Sequence, residues 1–379
     1  MAVDMASAAL IILVALLLSH LYIMTADARL LYAVAMVCGF RFASAAYHRR
    51  RSLPALLLLD GGTGLELKKR KAQGKQVAYD LTLFSTAALR DTPDGITDMH
   101  RDYIKAGCTV LTTASYAVTR FYLEKIGEGY RVKELAQRSV QLAKAARAAE
   151  GAESSVMIAA SVPPLGESYQ AAGLPHAELR AQYQELLAGL GGCDAYLCET
   201  MGTLEEGVLA VEMCQAAYPG ARIWLSFTPR RADASESGGM RVSADGSTVA
   251  AAVEAAAALG VDALLFNCST PEVVKLAITE AASCAPGWMR IGGYANFWEE
   301  HDHRGWSIDL NESADKHGDQ KAGGMVVRTD LTDDEYACRA CDFLDCGATI
   351  VGGCCGIGPD TMRAVCKRAR SRKPKWRLY

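Results

Sequence analysis

From Pro54 onward the chain repeats one unit: a short apolar run, a polar or glycine-containing loop, then a stretch with apolar residues at helical spacing. The apolar runs cover residues 55–59, 109–113, 156–160, 195–198, 222–227, 262–267, 289–294 and 348–351. Their near-continuous hydrophobicity is that of parallel strands buried on both faces. Helical stretches fall at 93–105, 131–149, 176–190, 204–217, 249–259, 271–283, 333–344 and 360–370. Residues 230–245, polar and glycine-rich, read as a loop after the fifth strand. Eight alternating pairs over this length predict an α/β fold of the (β/α)8 TIM-barrel type. A doubly wound open sheet is the alternative. The barrel is preferred because polar or thiol residues follow almost every strand: Asp60, Ser115, Ser161, Glu199, Thr228, Cys268, Asn296, Cys354 and Cys355. A barrel gathers all strand C-termini on one face, whereas an open sheet concentrates its chemistry at one crevice.

The first 53 residues depart from this pattern and form an apolar and basic N-terminal extension, leaving 54–372 as the barrel domain. Residues 6–24 are almost free of charge and just long enough to span a bilayer. A second apolar run, 30–40, precedes a basic, acid-free stretch ending Arg49-Arg50-Arg51. Three readings fit. One is a signal anchor that brings residues 6–24 into contact with the membrane and leaves the barrel domain cytoplasmic. Another is a signal peptide ending at Ala26-Asp27-Ala28. The third is an organelle-targeting leader, or an upstream extension, with translation starting at Met36.

Composition narrows the function. The 379 residues are 50% hydrophobic and 22% charged with net charge −3, enough for one large core. No basic stripe argues for nucleic acid. Thirteen cysteines without regular spacing in a chain this long do not make a disulfide scaffold, and they indicate a reducing compartment.

The densest chemistry lies at Val351-Gly352-Gly353-Cys354-Cys355-Gly356. Neighbouring strand residues point to opposite faces. Two adjacent cysteines therefore aim at one point only where the strand has ended and the backbone bends, a bend the glycines are expected to supply. Taken alone, the pair could be two buried thiols. Cys268 sits in the same setting, between a strand and a helix start, and three thiols at strand ends make a three-ligand Zn2+ site with an open fourth position. Glu199, ending a buried strand, needs a partner, either a substrate ammonium or a barrel lysine or arginine. Asp60 either binds substrate or braces the Gly61-Gly62-Thr63-Gly64 turn. Cys193 and Cys198 read as core thiols. Two further groups are read as non-functional: Cys338-Arg339-Ala340-Cys341, with Cys346 beyond, as buried thiols of a helix, and His301-Asp302-His303 with His317 as a solvated loop.

Together, Leu59-Asp60-Gly61-Gly62-Thr63-Gly64, Thr112-Thr113-Ala114-Ser115-Tyr116, Cys198-Glu199-Thr200, Phe266-Asn267-Cys268-Ser269 and Gly352-Gly353-Cys354-Cys355-Gly356 resemble the homocysteine S-methyltransferase family, from about Leu56 to about Val365. Trp224-Leu225-Ser226-Phe227-Thr228 is more similar to its branch using S-methylmethionine or S-adenosylmethionine than to the betaine branch. The resemblance implies a (β/α)8 barrel with Cys268, Cys354 and Cys355 as zinc ligands. It implies that Asp60 and Glu199 hold the amino group of homocysteine, with Gly61, Ser115 and Asn296 in the substrate-binding set. It further implies an enzyme making methionine from homocysteine and a sulfonium methyl donor; the sequence does not reveal the oligomeric state, with a monomer favoured. After the seventh strand the chain departs from the family's Tyr-Pro-Asn-Ser-Gly, reading Tyr294-Ala295-Asn296-Phe297-Trp298.

The residues suit that chemistry. A free alkyl thiol is mostly protonated at neutral pH, and coordination to zinc deprotonates it. Three protein thiolates keep the bound substrate sulfur electron-rich, and a sulfonium is already an excellent leaving group. The zinc-bound substrate thiolate is then the nucleophile, no separate general base is required, and catalysis is mainly alignment. A betaine- or selenocysteine-using relative and a membrane-tethered, non-catalytic zinc- or thiol-binding barrel are the competing readings. A zinc hydrolase is disfavoured, since three thiolates make zinc a poor activator of water.

Overall fold

The computed structural model describes residues 54–372 except 234–235, 243, 301–320 and 323–324. The expected span at 6–24, the Arg49–Arg51 cluster and the His301, His303 and His317 group lie outside the described residues. None of the described helices is long and apolar enough to cross a membrane.

Eight parallel strands form the barrel: β1 Leu57–Leu58, β2 Val110–Thr112, β3 Met157–Val162, β4 Ala195–Met201, β5 Ile223–Phe227, β6 Ala263–Asn267, β7 Arg290–Ala295 and β8 Ile350–Gly353. Each pairs with its neighbours in sequence, and β1 pairs with β8 through Leu57 and Ile350. A parallel bridge from Leu59 to Val110, with the Asp60 N–H donating to Val110 O at 3.0 Å, closes β1 onto β2. The chain is therefore a (β/α)8 TIM barrel, and the open-sheet alternative falls.

The alternation of strand side chains explains why the runs are apolar throughout. Leu58, Leu111, Tyr196, Leu225, Leu264 and Val351 pack with the helices in the main hydrophobic cluster. The intervening Leu57, Leu59, Val110, Leu197, Trp224, Leu265 and Ile350 are equally buried and fill the barrel interior.

The helices longer than one turn are α1 Thr63–Ala72, α2 Ser85–Asp91, α3 Pro93–Ala106, α4 Val132–Ala149, α5 His176–Leu187, α6 Leu204–Ala217, α7 Val249–Ala258, α8 Pro271–Cys284, α9 Asp333–Asp345 and α10 Pro359–Ser371. Several starts are written locally. Thr203, Thr248 and Thr270 each cap the next helix through the side-chain oxygen, and Thr332 with Glu335 forms a capping box.

Several elements depart from the sequence expectation. Helices α1 and α2 precede α3, where no element was expected. In α1 the buried positions include Glu66 and Arg70, whose 2.7 Å ion pair extends to Asp102, so charge occupies the inward stripe and hides the period. The expected loop 230–245 contains a small antiparallel ribbon, Pro229–Arg231 with Met240–Val242. Strand β1 is shorter than its apolar run, because its pairing is set by β8 and not by hydrophobicity.

Candidate active site: a thiol cluster and two buried carboxylates

Cys268, Cys354 and Cys355 come together at the C-terminal ends of β6 and β8, with all three sulfurs within 4.8 Å of one another. The Cys354 thiol donates to Cys268 Sγ at 3.1 Å, and Cys268 Sγ lies 3.7 Å from Cys355 Sγ. A tetrahedral zinc–thiolate site has sulfur–sulfur edges of roughly 3.8 Å, from a Zn–S distance of about 2.3 Å. The donor set fits a Zn2+ ion with one tetrahedral position left over: the 3.7 Å edge already matches, and the 3.1 Å edge has to open by about 0.7 Å. Among the described residues this is the one grouping of three such side chains that could hold a metal. Hydrogen bonds from Cys268 and Cys354 hold the Cys355 thiol well below its ordinary value. Three buried thiolates cannot coexist without a cation, so the cluster shares protons when metal-free.

The backbone devices that gather the sulfurs differ from expectation. Gly352 and Gly353 do not bend the chain. A Cβ on Gly352 would meet the Leu59 side chain at 2.5 Å, and one on Gly353 would meet Ile357 at 2.2 Å, so they permit close packing. The turn falls instead at Gly356, with φ of 82°. Cys268 reaches the cluster by adopting φ of 57° itself. Opposite, the loop after β1 interlocks with the loop after β8. A Cβ on Gly62 would sit 2.5 Å from Cys354 O, and the Gly62 N–H donates to Ile357 O at 2.9 Å. The buried Tyr103 hydroxyl ties Gly62 O and Ile357 O together at 3.1 and 3.0 Å.

A cavity of about 180 Å3 joins the thiols to Asp60, Gly61, Glu199 and a largely aromatic wall that includes Tyr79, Phe84, Tyr116, Tyr169, Tyr294 and Trp298. Asp60 Oδ2 accepts from the Thr112 N–H at 2.8 Å. Burial pushes the Asp60 carboxyl up to about 8 against that bond, and the nearby Glu199 adds to the rise. Glu199 Oε1 accepts from Ser161 Oγ at 2.5 Å and Oε2 from the Tyr294 hydroxyl at 3.0 Å. Burial raises the Glu199 carboxyl to about 7, with the two hydroxyl donors opposing it. Among the described residues no lysine or arginine forms a salt bridge with either carboxylate, so the barrel-cation alternative for Glu199 finds no support. Glu199 enters the cavity because β4 slips register between Cys198 and Met201, with Thr200 at φ of 57°.

Two expected binding residues lie elsewhere. Ser115 is fully buried but does not line the cavity; its hydroxyl donates to Ser161 O at 2.8 Å and contacts Thr113 Oγ1 at 2.8 Å. Asn296 also stands behind the cavity wall, where its Oδ1 accepts from the Trp298 N–H at 3.2 Å. Both brace loops that carry lining residues. In α9, Cys341 is buried as expected but Cys338 is exposed, since a spacing of three on a helix carries one thiol past the edge of the inward stripe.

Other lining residues escaped the sequence reading. Tyr169 and Trp298 pack against Cys268, with Leu65, Val327, Cys354 and Cys355 around them. Asn267 was legible only as the neighbour of Cys268. It accepts from Ser226 Oγ at 2.7 Å, donates to Thr200 Oγ1 at 2.7 Å and reaches Cys354 Sγ at 4.0 Å, linking β4, β5, β6 and the cluster. Among the described residues, four non-glycine residues have left-handed φ, namely Phe84, Tyr169, Thr200 and Cys268, and all four line this cavity. Such conformations cost about 1–3 kcal/mol each, which the surrounding fold must offset.

The fold and site together define a (β/α)8 barrel with a metal-competent thiol cluster and a carboxylate-bearing cavity at its C-terminal face. The sequence profile of homocysteine S-methyltransferases matches residues 57–369, and the chain belongs to that family. It is 30% identical over 339 residues to homocysteine S-methyltransferase 4 of Zea mays, covering 83% of this chain and 89% of that one. It is 28% identical over 340 residues to the homocysteine S-methyltransferase of Escherichia coli strain K12, covering 83% and 95%. The crystal structure of the metallated form of the homocysteine methyltransferase MmuM from Escherichia coli superposes with a TM-score of 0.63 at 26% identity, over 84% of this chain and 98% of that one.

Proposed function

We propose that the chain transfers a methyl group from a sulfonium donor, S-methylmethionine or S-adenosylmethionine, to homocysteine, giving methionine in a zinc-dependent reaction. One observation carries this reading: a cluster of three sulfurs shares a single cavity with two buried carboxylates, Asp60 and Glu199. The thiol cluster suits a substrate sulfur, and the carboxylates suit the ammonium of the same amino acid. A Zn2+ ion held by Cys268, Cys354 and Cys355 would supply the fourth position at which a substrate thiol loses its proton and stays nucleophilic.

The chain's own residues do the rest. Asp60 and Glu199, raised toward neutrality by burial, become fully charged when an ammonium arrives, so substrate binding and carboxylate ionisation reinforce each other. Ser161 and Tyr294 fix the orientation of Glu199. The aromatic wall attracts a sulfonium through its ring faces and excludes water from the sulfur. In the transfer a new sulfur–carbon bond forms on the acceptor as the donor's breaks, and the donor leaves as a neutral thioether. No general acid is needed, so alignment is the main contribution. A donor screen with homocysteine tests the reading, comparing S-methylmethionine, S-adenosylmethionine and betaine by methionine formation in zinc-loaded protein. Methionine from betaine alone, or from none of them, refutes the sulfonium assignment.

A further inference from the structure

We infer that Tyr169 is a positioning residue for the thiol cluster, its hydroxyl donating to Cys268 Sγ and tuning how much electron density that sulfur gives a bound metal. This deepens the zinc reading and rests on it. The hydroxyl lies 3.1 Å from Cys268 Sγ, and both residues are buried. Both also hold left-handed backbone, with φ of 67° at Tyr169 and 57° at Cys268. An unfavourable conformation at each end of one contact points to a contact that the fold builds deliberately.

The loop between β3 and α5 presents Tyr169, and it is pinned on either side. Ser168 Oγ bonds the Tyr116 hydroxyl at 2.8 Å, and the Leu165 N–H donates to Glu206 Oε1 at 2.8 Å. Beyond Tyr169, Gln170 O lies where a Cβ on Gly202 would be, at 1.8 Å, so the loop backbone rests against that glycine. The Tyr169 ring is therefore held over the cluster by anchors that do not involve the cluster.

The charge balance explains the use of such a donor. While protonated, the cysteines can donate to one another. Once all three are thiolates, only groups outside the cluster can. The Tyr169 hydroxyl is one, at 3.1 Å, and Asn267 Nδ2 is another, at 4.0 Å from Cys354 Sγ. A hydrogen bond to a thiolate stabilises its filled orbital, which offsets the surplus negative charge of a three-sulfur site and orients the ligand.

Tyr169→Phe isolates the hydroxyl, because ring and backbone requirements are unchanged. Three measurements are made on the full chain: zinc affinity by chelator competition, the sulfur-to-metal charge-transfer band of the Co2+-loaded protein, and the melting temperature of the metal-free protein. The expected result is a loss of about 10- to 100-fold in zinc affinity. The charge-transfer band should move to lower energy, and the metal-free melt should stay close to wild type. Affinity within about twofold of wild type with an unmoved band overturns the inference and leaves the zinc reading standing. A wild-type chain that takes up no zinc overturns that reading itself. Should Tyr169→Phe lower the metal-free melt, the Co2+ band and zinc affinity are read on the folded protein well below its melting temperature, and an unmoved band with affinity within about twofold of wild type still overturns the inference.

Discussion

Glu199→Gln should strengthen the fold while weakening the enzyme, and both effects can be sized. Burial holds the Glu199 carboxyl at about 7 against an ordinary value of 4.5. A carboxyl raised on folding binds more protons in the folded than in the unfolded state between those values, so its penalty is absent below about 4.5 and complete above about 7. That penalty is about 3 kcal/mol, an upper bound for the stability gained by a neutral replacement. Glutamine fits the site, since Ser161 and Tyr294 are hydroxyls that can either donate or accept, and each can pair with one end of the amide. Against this, the variant should lose the charge-assisted contact proposed between Glu199 and the substrate ammonium. Such a contact contributes about 1.5–3 kcal/mol, or about 10- to 150-fold in the homocysteine requirement. The assay pairs urea melts of metal- and substrate-free protein at pH 8 and pH 5 with separate KM values for homocysteine and donor. The variant should be more stable than wild type at pH 8 and the gap should narrow sharply at pH 5, where wild-type Glu199 is protonated. Loss of the Glu199 charge also eases ionisation of Asp60, which widens the gap at pH 8 in the same direction. A less stable variant at pH 8, a gap of equal size at both pH values, or equal effects on both KM values refutes the reasoning.

Cys268→Ala and Cys354→Ala should each abolish zinc retention and turnover while the barrel stays folded, since both lie at strand ends beyond the core; normal zinc in both by elemental analysis contradicts the ligand assignment. Gly62→Ala forces a Cβ to within 2.5 Å of Cys354 O, a backbone atom that cannot rotate away. It should cost about 1–3 kcal/mol and reduce zinc retention, and an unchanged melt with full zinc would show that the two loops do not depend on each other. A chain beginning at Arg51 should remain soluble, bind zinc and turn over fully, because every proposed site residue lies at Asp60 or later. Its aggregation, or loss of activity with zinc still bound, would assign residues 1–50 to the fold.

The amino-acid sequence by itself determined the architecture. Eight buried parallel strands are apolar on both faces and short, and the helices between them carry a one-sided stripe, so each unit announces itself within a few residues. It also marked the three cysteines and Glu199 as candidate site residues, because a thiol or carboxylate at the end of an apolar run conflicts with its surroundings and is visible as that conflict. Tertiary structure decided the rest. Tyr169, Trp298 and Phe84 are ordinary loop aromatics in the chain, and only barrel closure brings them from separate loops to one cavity. Ser115 and Asn296 occupy the expected strand ends, yet their polar groups are consumed by Ser161 O and the Trp298 N–H behind the wall. The glycines of Gly352-Gly353 suggested a bend, but Gly352 lets Leu59 approach from the far end of the barrel domain, and Gly353 makes room for the nearby Ile357. Helix α1 was hidden because its inward face carries Glu66 and Arg70, a charge pair that is tolerable in the interior only once Asp102 of α3 joins it. In most of these cases the deciding partner lies far away in sequence, and local pattern carries no record of a partner it does not adjoin.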